Sequence, residues 1–137
     1  MREYANQGKP VSEFKHVAPV FRVSDLDRSL SYYQSQLGFE VSFNHEGRYA
    51  SVVRDGCHIH LKRASPPDRN QAAFEDEEHL DAYFEVHDAQ DLASRLATAG
   101  ATFSVPLRSQ PYGKEFYVKD PDGYILGFVQ SAVAQNT

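Results

Sequence analysis

The chain of 137 residues has one cysteine and no tryptophan. A single thiol, Cys57, cannot close an internal disulfide, which agrees with a reducing cytoplasm. No run approaches about 18 to 20 apolar residues, so no membrane span is expected. The opening MREYANQGKP lacks the apolar stretch of a secretory signal. Surplus positive charge is also missing: 14 Lys and Arg against 19 Asp and Glu give a formal charge of -5. That balance argues against general affinity for nucleic acid, whose phosphates call for a basic patch. Neither a Gly-rich phosphate loop nor a Gly-x-Ser-x-Gly elbow is present. What remains is a chain of one-domain length, 41% apolar and 24% charged, near the average for globular proteins.

What is present is said twice. HVAPVFRVSDLDRSLSYYQSQLGFEVSF runs from His16, and HLDAYFEVHDAQDLASRLATAGATFSV from His79. Each has a histidine, a strand-like run, Val-x-Asp (Val23 and Asp25; Val86 and Asp88), a helix, a glycine and another strand. Asp25 and Asp88 read as helix N-caps. Leu26, Leu30, Tyr33 and Leu37 recur at helical spacing, as do Ala89, Leu92, Ala93 and Leu96, so each helix has one apolar face. Gly38 and Gly100 fall where a left-handed C-cap ends a helix.

The repeat continues in RYASVVRDGCHIHLKR and KEFYVKDPDGYILGFVQ, each two β-rich runs joined through a turn containing Asp-Gly, a hairpin signal. The inferred unit is strand, helix and three strands. It occupies residues 16–63 and again 79–131, within one domain. Residues 1–15 read as an irregular arm, and 132–137 as a tail. The Pro-rich, acidic stretch 64–78 reads as a solvent-exposed linker, its run Glu75 to Glu78 as a solvated face. Two such units bury the helix-facing sides of their sheets and can place the opposite sides around a curved groove, an α+β architecture suited to a ligand.

GCHIHLKR, Gly56 to Arg63, poses the sharpest chemical question, since His-x-His on a strand can hold a metal. Alternation turns Cys57, Ile59 and Leu61 one way and His58, His60 and Lys62 the other. Cys57 then reads as a buried, inert thiol. Lys114 and Glu115 have no visible catalytic partner and read as strand-surface charges.

VSDLDRSLSYYQSQLGFEV and EFYVKDPDGYILGF resemble the vicinal-oxygen-chelate superfamily, the glyoxalase, bleomycin-resistance and dioxygenase group, over nearly all of residues 16 to 130. APVFRVSDL, YASVVRDG and SQPYGKEFYVKDPDGY are similar to the bleomycin-resistance proteins in particular. The resemblance implies paired βαβββ units forming a curved mixed-sheet groove. It places the four metal-ligand positions of metal-using relatives at Ala18, His60, Asp81 and Gly127. Alanine and glycine offer no donor, so no metal, no other cofactor and no catalytic residue are expected. An alternative is a metal-dependent lyase or oxygenase with a relocated site built from His16, His58, His60 and His79. Against it, His16 and His79 stand two residues from the ligand positions, about 6 to 7 Å along a strand.

The resemblance further implies a small-molecule binding protein that sequesters an antibiotic-like ligand, aromatic or cationic, in the cytoplasm. A regulatory or protein-contact role for the groove is a third reading. A homodimer is expected, without nucleic-acid or membrane partners. The inner face would present Val20, Arg22, His58, His60, Lys62, Asp81, Tyr83, Glu85, Ile125 and Val129, with Phe39, Phe43, Tyr49, Tyr112 and Tyr117 available at the rim. The ligand-contacting set expected from these is Arg22, Phe39, Tyr49, His58, His60, Asp81, Tyr83, Glu85 and Tyr112. Asp81 and Glu85 would favour a cation, and Tyr112, in QPYG, would stack on a planar ring.

Overall fold

The structure, a computed structural model, describes residues 11–132 with their side chains and the backbone of Tyr4–Ala5 and Lys9–Pro10. Tyr4–Ala5 (β1) and Lys9–Pro10 (β2) pair antiparallel, so the expected arm contains a short ladder. The remainder of residues 1–10, and the expected tail beyond 132, lie outside the described residues.

Val20–Val23 (β3) leads into Leu26–Ser35 (α1), then Glu40–His45 (β4), Tyr49–Arg54 (β5) and Cys57–Arg63 (β6). A short helix, Gln71–Asp76 (α2), separates this unit from the second. The second runs Ala82–Glu85 (β7), Ala89–Thr98 (α3), Thr102–Gln110 (β8), Gly113–Lys119 (β9) and Ile125–Ser131 (β10). Their sheets have the matching orders β3-β6-β5-β4 and β7-β10-β9-β8. In each, the first strand lies parallel to the last, across a helical crossover, and the other pairs are antiparallel.

Local chemistry accounts for the boundaries. The Asp25 carboxylate accepts from Arg28 N and that of Asp88 from Asp91 N, each at 3.0 Å. Gly38 and Gly100 end α1 and α3 with positive φ, where a Cβ would be strained. Arg54 pairs with Cys57, so Asp55 and Gly56 alone make the turn. Their φ values of 50° and 78° give the primed geometry that matches strand twist.

The apolar stripes of both helices and the facing sides of both sheets enter one core that includes Leu26, Leu30, Tyr33 and Leu37 with Leu92, Leu96, Phe116 and Phe128. The Asp120 carboxylate fastens the second unit to the first. Its Oδ1 accepts from Asp122 N and Tyr124 N at 2.9 and 3.0 Å, and its Oδ2 accepts from Tyr33 Oη at 2.9 Å. Burial pushes this carboxyl up to about 6.

Two expectations need correction, and a third gains detail. Residues 64–78 are exposed or half-buried, but they include the helix α2, whose Phe74, with Leu80, packs on a second cluster of Val105, Tyr117 and Ile125. Within the acidic run, Glu75 pairs with Lys119 at 3.2 Å and Glu78 with Arg108 at 2.7 Å, because α2 lies over the face that carries those cations. Cys57 is exposed although it alternates with Ile59 and Leu61, because it opens β6 beside the turn, beyond the edge of the core. Glu115 is 1% exposed, covered by the Arg108 and Tyr112 side chains that bond it.

Candidate ligand-binding face

Strand register arranges the helix-distant face of the first sheet in rows, since cross-strand partners share a side. Arg22, Lys62, Tyr49 and His45 form one row, Val20, His60, Ser51 and Phe43 the next, and His58, Val53 and Glu40 a third. Alternation sends Phe21, Val23, Ile59, Leu61, Ala50 and Val52 to the core, which leaves these rows facing outward. A bulge between Val41 and Phe43 shifts β4 by one residue. Val41 accordingly packs on the core while Phe43 lies on the outward face.

The rings on this face contact one another. Phe43 and Tyr49 are nearly parallel at 6° with centroids 6.2 Å apart, and His60 stands edge-on to both. Tyr49 Oη lies 2.8 Å from His60 Nδ1. His16 stacks on His58 at 4.1 Å. Partial burial first, then neighbouring His16 and His58, hold the His60 ring below the usual histidine range, which favours its neutral form at pH 7. His79 is elsewhere, against the Phe74 ring and 3.2 Å from Asp81, so the four histidines do not gather.

The second sheet's corresponding face is occupied differently. Arg69, from the connecting segment, grips Asp81 with two hydrogen bonds of 2.8 and 2.9 Å, and Asp81 also accepts from Ile125 N. Burial opposes the charge on Asp81, but the Arg69 and Ile125 hydrogen bonds outweigh it and hold the carboxyl below its ordinary value. Arg108 joins Glu78 to buried Glu115, and Tyr112 Oη donates to Glu115 at 2.6 Å. That hydrogen bond to a carboxylate pushes the Tyr112 phenol up to about 12. Tyr83 and Glu85 are exposed on β7. Of the expected contact residues, Arg22, Tyr49, His58 and His60 share the first face, while Asp81, Tyr83, Glu85 and Tyr112 belong to the second half. Phe39 joins neither. It is buried in the core, edge-on to Tyr33 and Phe84, because the turn at Gly38 aims it toward the helices.

Two concavities follow the seam between β3 and β7. One of about 550 Å³ is lined by Val20, Arg22, Phe74, His79 and Asp81, and one of about 600 Å³ by His16, Ala18, His58 and Tyr83. A cleft of about 590 Å³ on the helix side is lined by Leu37, Cys57, Leu92 and Arg95. Its cations are engaged, Arg54 with Leu37 O at 2.7 Å and Arg95 with Asp91 at 2.9 Å. Lys62, outside the expected contact set, stands on the same face as Arg22 and Tyr49, where alternation places it. Arg69 and Arg108 carried no pattern that would have revealed their carboxylate partners.

Paired βαβββ units with an open, ring-bearing sheet face define the vicinal-oxygen-chelate class. The Glyoxalase/Bleomycin resistance protein/Dioxygenase superfamily profile matches residues 13–128, and the chain belongs to that family. Among solved structures, the bleomycin-binding protein of bleomycin-producing Streptomyces verticillus, complexed with copper(II)-bleomycin, is 26% identical with a TM-score of 0.67. The match covers 88% of this chain and 99% of that one. A glyoxylase/bleomycin resistance protein/dioxygenase domain from Frankia sp. EAN1pec is 27% identical, with a TM-score of 0.63 and 88% and 98% coverage. An antibiotic binding protein from Streptomyces sp. CB03234 shares the fold at 20% identity, with a TM-score of 0.65 and 89% and 98% coverage. No curated protein matches the chain.

The metal of the metal-using relatives does not fit these residues. At the four positions that the resemblance assigns to metal ligands, Ala18 and Gly127 have no donor, and Asp81 is held by Arg69 and Ile125 N. A Cβ on Gly127 would lie 2.6 Å from Leu80 Cδ2, so the apolar side chain of Leu80 fills the space a ligand there would need. Among the described residues, no three His, Cys, Asp or Glu side chains converge as a metal site. No helix among them is long and apolar enough to cross a membrane.

Proposed function

We propose that this protein binds a small aromatic molecule on the inner face of its first sheet and acts by sequestration, without a chemical step. The carrying observation is the ring group of Phe43, Tyr49 and His60 on a sheet face that the core does not use. The 26% identity to a bleomycin-binding protein supports an antibiotic-like ligand. A stoichiometric complex lowers free ligand by mass action alone, so none of the residues needs to be a nucleophile or a base. The exposed thiol of Cys57 suits a reducing compartment, and we place the protein in the cytoplasm.

A homodimer is part of this proposal. Val20 and Phe43 on the first sheet's face and Tyr83 and Tyr112 in the second half are 51%, 45%, 58% and 52% exposed in the single chain, an apolar set of side chains that water covers poorly. A second copy would cover it and supply the other wall of the groove, through two-fold contacts. The test is a thermal-shift screen of aromatic antibiotics and metabolites, repeated with Tyr49→Ala. A ligand that raises the melting temperature of the parent protein much more than that of Tyr49→Ala supports the reading. Ligands that stabilise both equally place binding elsewhere.

A further inference from the structure

The first sheet's inner face has a charge opposite to that of the whole chain. Arg22 and Lys62 are direct cross-strand partners of β3 and β6. Neither side chain has an ion-pair or hydrogen-bond partner among the described residues; the same holds for Lys15, Arg48, Arg63 and Lys114, and what sets Arg22 and Lys62 apart is that they stand directly opposite one another on the ring-bearing face. Like charges directly opposite on a sheet repel, and no described side chain is bonded to either of this pair. The acid in these rows, Glu40, stands at the corner diagonal to Arg22, two strands from His58. Across the seam, Asp81 is already neutralised by Arg69, so it is not available to attract a cation.

The cations also stand at a useful distance from the rings. Lys62 is the cross-strand partner of Tyr49, and Tyr49 stacks with Phe43. With strands about 4.8 Å apart, Lys62 lies about 5 Å and Arg22 about 10 Å from Tyr49 along the row. A fused ring resting on Tyr49 and Phe43 would carry an acidic substituent over that interval.

We infer that the ligand of this face is an aromatic anion, its ring lying on Phe43 and Tyr49 and its acidic group held between Lys62 and Arg22. This rests on the small-molecule reading above and replaces the preference for cations expected from Asp81 and Glu85. The Arg22 guanidinium offers a planar fork to a carboxylate, phosphate or sulfonate, and Lys62 adds a point charge. Bound anion removes the repulsion between the two cations, so their juxtaposition favours the complex over the free protein.

The test is calorimetric titration of the intact chain at neutral pH with three probes of one shape: naphthoate, naphthamide and naphthylmethylammonium. Naphthoate should bind about tenfold or more tighter than the amide, a charge-assisted hydrogen bond's worth of affinity. Arg22→Gln combined with Lys62→Gln should reduce naphthoate to the amide's affinity, with the melting temperature unchanged or raised by loss of the like-charge pair. Equal binding of naphthoate and naphthamide, or tightest binding of the ammonium, would overturn the anion assignment while leaving a small-molecule site in place. Absence of binding by all three would sink both this inference and the sequestration reading.

Discussion

Leu80 occupies the space that a side chain at position 127 would need: a Cβ built on Gly127 comes within 2.6 Å of Leu80 Cδ2. The contact couples the residues leading into β7 to the middle of β10, at a position that the family resemblance assigns to a metal ligand. Gly127→Ala should therefore destabilise by about 1 to 3 kcal/mol through overpacking. Leu80→Ala should recover part of that loss. The check is a double-mutant cycle by urea denaturation, in which the double variant is more stable than the sum of the single changes implies. Additive losses would show that the two positions do not share this space.

The chain Glu78–Arg108–Glu115–Tyr112 gives a second expectation. Arg108→Gln removes the cation beside a carboxylate that is 1% exposed, so stability should fall on the order of 2 to 3 kcal/mol. Tyr112→Phe removes one donor to Glu115 and should cost about 1 kcal/mol. Chemical denaturation of both variants measures these losses, and an unchanged Arg108→Gln would mean that Glu115 is solvated.

Asp120 sets a pH dependence whose sign follows from its position. Its carboxyl is raised from 3.8 to about 6 by burial, so between those values the folded state binds more protons than the unfolded state. Stability from this group is fully present below the lower value and is lost as pH rises through the window, on the order of 2 to 3 kcal/mol. Asp120→Asn keeps an oxygen for the Asp122 and Tyr124 N–H groups, and its amide can donate to Tyr33. The variant should show a flatter stability profile over that window than the parent protein, measured by urea titration at each pH.

Much of the fold is legible in the sequence because it rests on local rules. Asp25, Asp88, Gly38 and Gly100 each mark a helix end through a backbone requirement. Alternation in Cys57 to Arg63 separates Ile59 and Leu61 from His58, His60 and Lys62. The candidate site is less legible, because its features depend on long-range partners. Nothing near Arg69 or Arg108 indicates that they will meet Asp81 and Glu115. The bulge that turns Phe43 outward has no signal in EVSFNH. Nothing in QLGFEV separates groove from core for Phe39, and its place in the core rests on the contact with Phe84, 45 residues away.

Assembly is checked by light scattering. The proposed homodimer requires a mass of about twice 15.5 kDa at micromolar concentration. Substituting Val20 and Tyr83 together by Lys should shift it toward the monomer, since both lie on the apolar surface a second copy would cover. A parent protein with the mass of one chain would contradict the dimer.

The most direct measurement is an amide NMR map of the protein titrated with naphthoate in the presence of a chelator. Binding on the first sheet's inner face requires the largest shifts at Val20, Arg22, Tyr49, His60 and Lys62, with an affinity that the chelator does not alter. Shifts concentrated instead around Leu37, Arg54, Leu92 and Arg95 would place the ligand in the helix-side cleft, and loss of binding on chelation would make the site a metal site; either result contradicts the function proposed for this protein.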